Sequence, residues 1–191
     1  MGTVTLGVSL AVPEPYGSFL QERRADFGDP AAHNIPSHIT LLPPTVVDED
    51  TVPEVERHLA EVAAAGRPFT LRLSGTDTFR PLSPVVFVRL VEGEGGCASL
   101  QERVRTGPCA RDLAFPYHPH VTVAHGISET AMDRAQQELA GFEASWTTTG
   151  FALYEQGADE VWRLEQEYTF GTPGLDLPRQ AEHSRPPAPS C

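Results

Sequence analysis

Two short segments of the 191-residue chain share one form: His38-Ile39-Thr40-Leu41 and His120-Val121-Thr122-Val123 both read histidine, apolar, threonine, apolar. A lone histidine in a strand is ordinarily a surface or core residue. Here each copy follows a proline-containing approach and precedes a turn and a helix, so the match extends to local architecture. On a β-strand, residues two apart project from the same face, so each copy presents an imidazole beside a hydroxyl while its apolar residues anchor in the core. If two such strands face each other across a cleft, two imidazoles can flank one phosphorus. One removes a proton from the attacking oxygen and the other protonates the leaving oxygen. Thr40 and Thr122 can then donate hydrogen bonds to the non-bridging oxygens. That chemistry needs no metal and no cofactor.

The surrounding pattern predicts an α+β protein. Residues 3–12 alternate as a strand that ends at the Pro13 and Pro15 turn, and 16–27 form a short helix with Phe19, Leu20 and Phe27 partly inward and Arg23 and Arg24 on the other side. A strand over 38–42 is expected to stop at Pro43 and Pro44. Val52, Val55, Leu59 and Val62 mark a helix over 50–65, ended by Gly66. Strands follow over 69–73 and 85–90, and the GEGG run at 93–96 separates them from a short helix around Leu100 and Val104. After the strand near 120–123, Ile127, Ser128 and Met132 match a hydrophobic staple around a helix N-cap, with the helix running to about Ala140. Residues 145–154 and 160–170 read as a hairpin across GAD. The proline-rich tail after Gly171 has no periodic core face and is expected to be disordered. No GxGxxG follows the first strand, which disfavours a doubly wound dinucleotide fold.

Composition narrows the chemistry further. All 14 basic residues are arginine, against 26 acidic ones, for a net charge of −12. Without lysine there is no Schiff base, no phosphate-loop lysine and no lysyl-nucleotide adduct. The hydrophobic share of 40% supports a real core for one domain or two small lobes. No apolar run of about 18 residues and no secretion signal are present, so a cytoplasmic protein is expected. Cys97, Cys109 and Cys191 lie in unrelated surroundings and form no disulfide framework. The negative charge disfavours long duplex nucleic acid and anionic membranes as partners, though not a small local anion site.

The paired motifs HIT at 38–40 and HVT at 120–122 resemble those of the 2H phosphoesterase superfamily, in particular its bacterial 2'-5' RNA ligase and RNA 2',3'-cyclic phosphodiesterase branch. The resemblance extends through FRPLSPVVFVRL and the final hairpin, over roughly residues 4–170. It implies two pseudo-symmetric lobes of antiparallel β-sheet with outer helices around a central cleft, in a domain spanning 1–170 that can exchange terminal strands between lobes, with 171–191 as a tail. It also implies metal-independent opening of 2',3'-cyclic phosphates of nucleotides or short RNA ends to 2'-phosphates, with ATP-independent ligation as the reverse reaction. Many members of the branch carry arginine shortly after the second motif, in a pattern like HxTLxR. His125 stands there in this chain, and it supplies less positive potential and only one ring donor.

Other candidates surround the motifs. Arg80 can reach the cleft from a loop. Tyr117 and His118 flank the approach to the second motif, where an aromatic face can stack a base, although Phe115 and Tyr117 serve equally as lobe packing. Tyr154 can line the cleft from the last hairpin. His33 and His58 have no repeated context and read as structural or exposed. A zinc site would draw on His118, His120 and His125 with Cys109, but Pro119 disturbs the strand and His125 lies beyond a turn. The rival class is a catalytically weak nucleotide- or RNA-end-binding protein with the same cleft. A monomer is expected in either case.

Overall fold

A histidine strand forms one edge of each of two four-stranded antiparallel sheets in the computed structural model of the chain, in which residues 2–171 are described. In chain order the elements are β1 (Thr3–Ala11), α1 (Tyr16–Asp26), β2 (His38–Asp48), α2 (Val52–Ala64), β3 (Phe69–Thr78), β4 (Val85–Glu92), α3 (Glu94–Val104), β5 (His120–His125), α4 (Glu129–Glu138), β6 (Glu143–Thr148), β7 (Gly150–Gln156) and β8 (Trp162–Thr169). The first sheet runs β2-β1-β7-β8 and the second β5-β4-β3-β6. Each motif strand therefore pairs with the strand that precedes it, after an intervening helix: β1, α1, β2 in one lobe and β4, α3, β5 in the other. The chain returns to the first sheet for β7 and β8 after completing the second with β6.

The helices bind the lobes to each other. Helix α1 packs against β5 and α3 packs against β2, so the helix that delivers one motif strand supports the other. Helix α2 buries Val55, Leu59 and Val62, with Pro53 in its first turn where no intrahelical N–H is needed. Ser128 caps α4 by accepting from the Ala131 amide, while Ile127 and Met132 pack into the core on either side of the cap, as the staple pattern predicts. Among the described residues no helix is long and apolar enough to cross a membrane.

Several local expectations require correction. Strand β2 does not stop at Pro43 and Pro44 but runs through them to Asp48. The prolines are tolerated because β2 is an edge strand, and the pairing steps from Leu6–Thr45 to Val8–Leu42 accommodate an extra residue there. The GEGG run is not a separator: Gly93, at φ +97°, caps α3, and Gly95 and Gly96 lie in its first turn. Residues 145–154 are not one strand, since β6 ends at Thr148 in the second sheet and β7 begins at Gly150 in the first; only β7 and β8 form the hairpin. Arg24 is not on the outer face of α1. It is buried with Leu20, while Phe19 is exposed and stacks on Phe142. The tail expected after Gly171 lies outside the described residues.

Candidate active site

The two motif strands repeat each other beyond residue type. Along both His38–Leu42 and His120–Ala124 the residues are half-buried, buried, half-buried, buried, buried. The two consecutive buried residues mark a bulge placed identically in both strands. Thr40 pairs with Ser9 and Leu42 with Val8, leaving Leu41 as the extra residue; Thr122 pairs with Phe87 and Ala124 with Val86, leaving Val123. A bulge bends and twists an edge strand. Here it follows directly on the threonine, so the histidine and threonine stay on the cleft side while Leu41 and Val123 return to the core.

Each imidazole is oriented by its own approach segment. Nδ1 of His38 donates to the Pro36 carbonyl at 2.8 Å, and Nδ1 of His120 donates to the His118 carbonyl at 2.6 Å. A carbonyl can only accept, so Nδ1 must carry the hydrogen in both rings, and the Nε2 lone pair is left for the cleft. The proline-containing approaches thus fix a tautomer. His38 and Thr122 line one cavity, of about 360 Å³, and Thr40 and His120 line a second, of about 570 Å³. Each imidazole therefore shares a cavity with the other motif's threonine, as a single reaction centre between the strands requires.

The two imidazoles differ in their neighbours. Burial lowers the His38 pKa to about 4 against the raising effect of its bond to Pro36, and the Arg24 guanidinium and a charge on His120 lower it further. Near neutral pH, His38 is a free base. His120 is lowered as well, by burial first and then by His118, again opposed by its carbonyl bond. Its ring is enclosed by Phe79 and Phe87, at centroid distances of 4.9 and 5.1 Å. Beyond them the larger cavity continues as an apolar groove past Tyr117 to Leu82 and Phe115, the last two 87% and 71% exposed.

Other candidate residues fall into three groups. His118 packs its ring on Phe79 and Phe87, lining the groove, and His125 lines the His38 cavity. Tyr154 lines a small pocket with His38, Thr40 and Trp162. Tyr117 also borders the groove, but its hydroxyl donates to the Thr40 carbonyl at 2.8 Å, tying the approach to the second motif onto the first. Arg80 is a correction. Its guanidinium binds Glu129 and Asp133 on α4 and Gln136 of the same helix, rather than reaching the cleft, because α4 presents two carboxylates and an amide to this loop. The alternative zinc ligands do not converge: among the described residues no three His, Cys, Asp or Glu side chains gather as a metal site. Cys109 is buried in the core, its pKa pushed up to about 11 by burial.

Four cleft residues escape motif reading. Arg24 and Asp29 form a buried pair beside His38. Trp162 lies so close to the β1 backbone that a Cβ at Gly7 would stand 2.9 Å from its ring and push the indole out of place. Ser9, opposite Thr40, has a buried Oγ without a partner among the described residues, on the wall of the pocket shared by His38 and Tyr154. Only Arg24 carries a legible signal, since it stands four residues after Leu20 and three before Phe27 on one helical face.

The 2'-5' RNA ligase superfamily model matches residues 12–160. The chain is 33% identical over 145 residues to a protein of Bacillus licheniformis named as a phosphoesterase, covering 75% of this chain and 85% of that protein. A protein of Halalkalibacterium halodurans, likewise named as a phosphoesterase, is 30% identical over 122 residues, covering 64% of this chain and 70% of that one. Among solved structures, Escherichia coli LigT complexed with 3'-AMP superposes with a TM-score of 0.66 at 20% identity, covering 90% of this chain and all of LigT. The protein TT0787 of Thermus thermophilus gives a TM-score of 0.58 at 21% identity, covering 87% and 98%. These two similarities concern the fold.

Proposed function

The chain belongs to the 2H phosphoesterase superfamily, in its 2'-5' RNA ligase branch, and from that premise we propose that it opens the 2',3'-cyclic phosphates of nucleotides or short RNA ends to 2'-phosphates by paired-histidine acid and base catalysis. The observation that carries this reading is the matched pair of carbonyl-oriented imidazoles, each with Nε2 left unprotonated by its tautomer and each sharing a cavity with the other motif's threonine.

In the proposed reaction, water attacks phosphorus as Nε2 of His38 takes its proton. The bond from phosphorus to the ribose 3'-oxygen breaks, and Nε2–H of a protonated His120 gives its proton to that oxygen. The products are a 2'-phosphate and a free 3'-hydroxyl. His38 is assigned as the base because its depressed pKa and the neighbouring Arg24 keep it neutral near pH 7. His120 lacks a neighbouring guanidinium among its influences, so an incoming phosphate anion restores its proton more readily. Thr40 and Thr122 hydrogen-bond the oxygens on which charge gathers. The apolar groove beside His120 suits the base of a nucleotide. The bound 3'-AMP of LigT, in a similar fold, supports a nucleotide ligand of this kind.

The test is incubation of the purified full chain with nucleoside 2',3'-cyclic phosphates in the presence of a metal chelator, with the products separated as 2'- and 3'-phosphates. Chelator-resistant formation of the 2'-phosphate is expected. Absence of turnover on every nucleoside tested, or turnover abolished by the chelator and restored by a metal, overturns the proposal.

A further inference from the structure

We propose that Arg24 is the anion-holding cation of the cleft, gripping the non-bridging oxygens of the substrate phosphate with its two terminal nitrogens. This inference deepens the proposed function and rests on its assignment of a phosphate ligand to the cleft between the histidines.

Three observations carry it. First, Arg24 is a buried charge at the cavity of His38 and Thr122: its side chain is 11% exposed, and it is the only guanidinium among the described residues lining that cavity. A buried charge is retained only where something satisfies it. Second, its bonding is one-sided. Nε donates to Asp29 Oδ2 at 2.7 Å, while neither terminal nitrogen has an acceptor among the described residues. Arg163 on the surface shows the contrast, because both of its terminal nitrogens bind the Asp159 carboxylate. Third, Asp29 is already fully used. Its side chain is 1% exposed, Oδ2 also accepts from the His125 amide at 3.0 Å, and Oδ1 accepts from the Ala31 amide at 2.9 Å.

Asp29 therefore works as a positioning residue. It fixes the Nε edge of the guanidinium and at the same time ties the end of β5 to the loop after α1. What remains is a planar pair of N–H groups at the cavity that holds His38 and Thr122. That fork matches the spacing of two phosphate oxygens, which a lysine ammonium cannot reproduce. Glu160 is exposed at the rim of the same cavity and opposes anions there, so among the described lining residues Arg24 is the one with a permanent positive charge to meet a phosphate.

The experiment measures calorimetric binding of adenosine 2'-monophosphate to the full chain, alongside hydrolysis of adenosine 2',3'-cyclic phosphate. It compares wild type with Arg24→Lys and with the double variant Arg24→Gln/Asp29→Asn, which removes both charges of the buried pair and keeps a hydrogen-bonding pair. Circular dichroism checks folding, and Arg24→Lys supplies the same comparison if the double variant does not fold. Expected is at least tenfold weaker nucleotide binding by the folded double variant, with a loss in kcat/KM of about 100-fold, in the range for removing an oxyanion donor, and a partial recovery in Arg24→Lys. A purely structural role predicts that binding returns with the fold, so wild-type affinity in either folded variant overturns the proposal. A wild type that binds no nucleotide overturns it too. If wild type binds the nucleotide but opens no cyclic phosphate, and the variants lose binding, the hydrolytic reading fails while the role of Arg24 stands. If cyclic phosphate is opened with unchanged KM by the variants, the reverse holds.

Discussion

The two sides of the cleft share a backbone and differ in their furniture. On the His38 side, a buried guanidinium, its carboxylate partner and a small polar cavity surround the imidazole; on the His120 side, two phenylalanine rings and an apolar groove do so. The motif strands themselves, with their carbonyl-fixed tautomers and matching bulges, are nearly interchangeable. The difference teaches that the repeat supplies position and its surroundings supply role. Burial, and beyond it the cation beside the ring, hold the His38 imidazole neutral, whereas His120 is lowered by burial and by His118 with no cation of this kind among the causes.

The sharpest way to break this comparison is to remove each imidazole in turn. His38→Ala and His120→Ala are each expected to lower turnover of a cyclic phosphate by about two to four orders of magnitude, the range for a lost general acid or base. The two should part company on an aryl phosphodiester such as a nitrophenyl ester, whose leaving group needs no proton. There His120→Ala should regain most of its rate and His38→Ala should not. Steady-state rates on both substrates decide the matter: equal losses on the aryl ester would dissolve the assigned roles, and recovery in His38→Ala alone would exchange them.

Next in size come the hydroxyls. Because each threonine shares a cavity with the opposite histidine, Thr40→Val and Thr122→Val are expected to lose similar amounts, about 100-fold in kcat each, with folding preserved. A loss confined to one variant would show that the phosphate lies wholly within one cavity.

Titration separates the two sides without mutation. His38 is held neutral down to about pH 4 in the folded protein, against an ordinary value of 6.5. The unfolded chain therefore binds a proton first. This group leaves stability intact above pH 6.5 and erodes it as pH falls from 6.5 towards about 4. Urea unfolding across that window should show a decline that is shallower in His38→Gln. An identical slope in both proteins would place the His38 pKa near its ordinary value and remove the argument for its role as base.

How much of this was legible in the chain follows from the range of the forces involved. The motif strands, the α2 stripe and the Ser128 cap depend on neighbours within a few residues, and the pattern alone locates them. Strand β2 continues through two prolines only because it lies at a sheet edge, and edge position is a property of the whole topology. The break at Thr149 between β6 and β7 is hidden for the same reason: two strands of different sheets share one run of strand-forming residues. Arg24 was masked by its neighbour. Arg23 faces outward to Asp26 and Glu138, so the pair reads as a charged surface unless the Leu20, Arg24, Phe27 spacing is given priority. Arg80 misled in the opposite direction, since the carboxylates that claim it sit on α4, 49 and more positions away.

Tyr117 offers the smallest perturbation and the most direct test of whether the two sides act as one site. It belongs to the approach of the second motif, yet its hydroxyl donates to the carbonyl of Thr40 in the first, and burial raises its pKa so that it stays protonated as a donor. Tyr117→Phe keeps the ring and deletes that single bond, leaving the Thr40 carbonyl without the donor. A stability loss of about 1 kcal/mol is expected, typical of one hydrogen bond, visible as a shift of a few degrees in the thermal midpoint. If the bond also sets the register of the two strands, kcat/KM should fall severalfold, because the Thr40 hydroxyl and the His120 ring line the same groove and must meet the same phosphate. Stability lost with catalysis untouched would mean that the lobes are aligned by their other bridges, the buried Asp29 contact to the His125 amide and the Arg111 contact to Thr45.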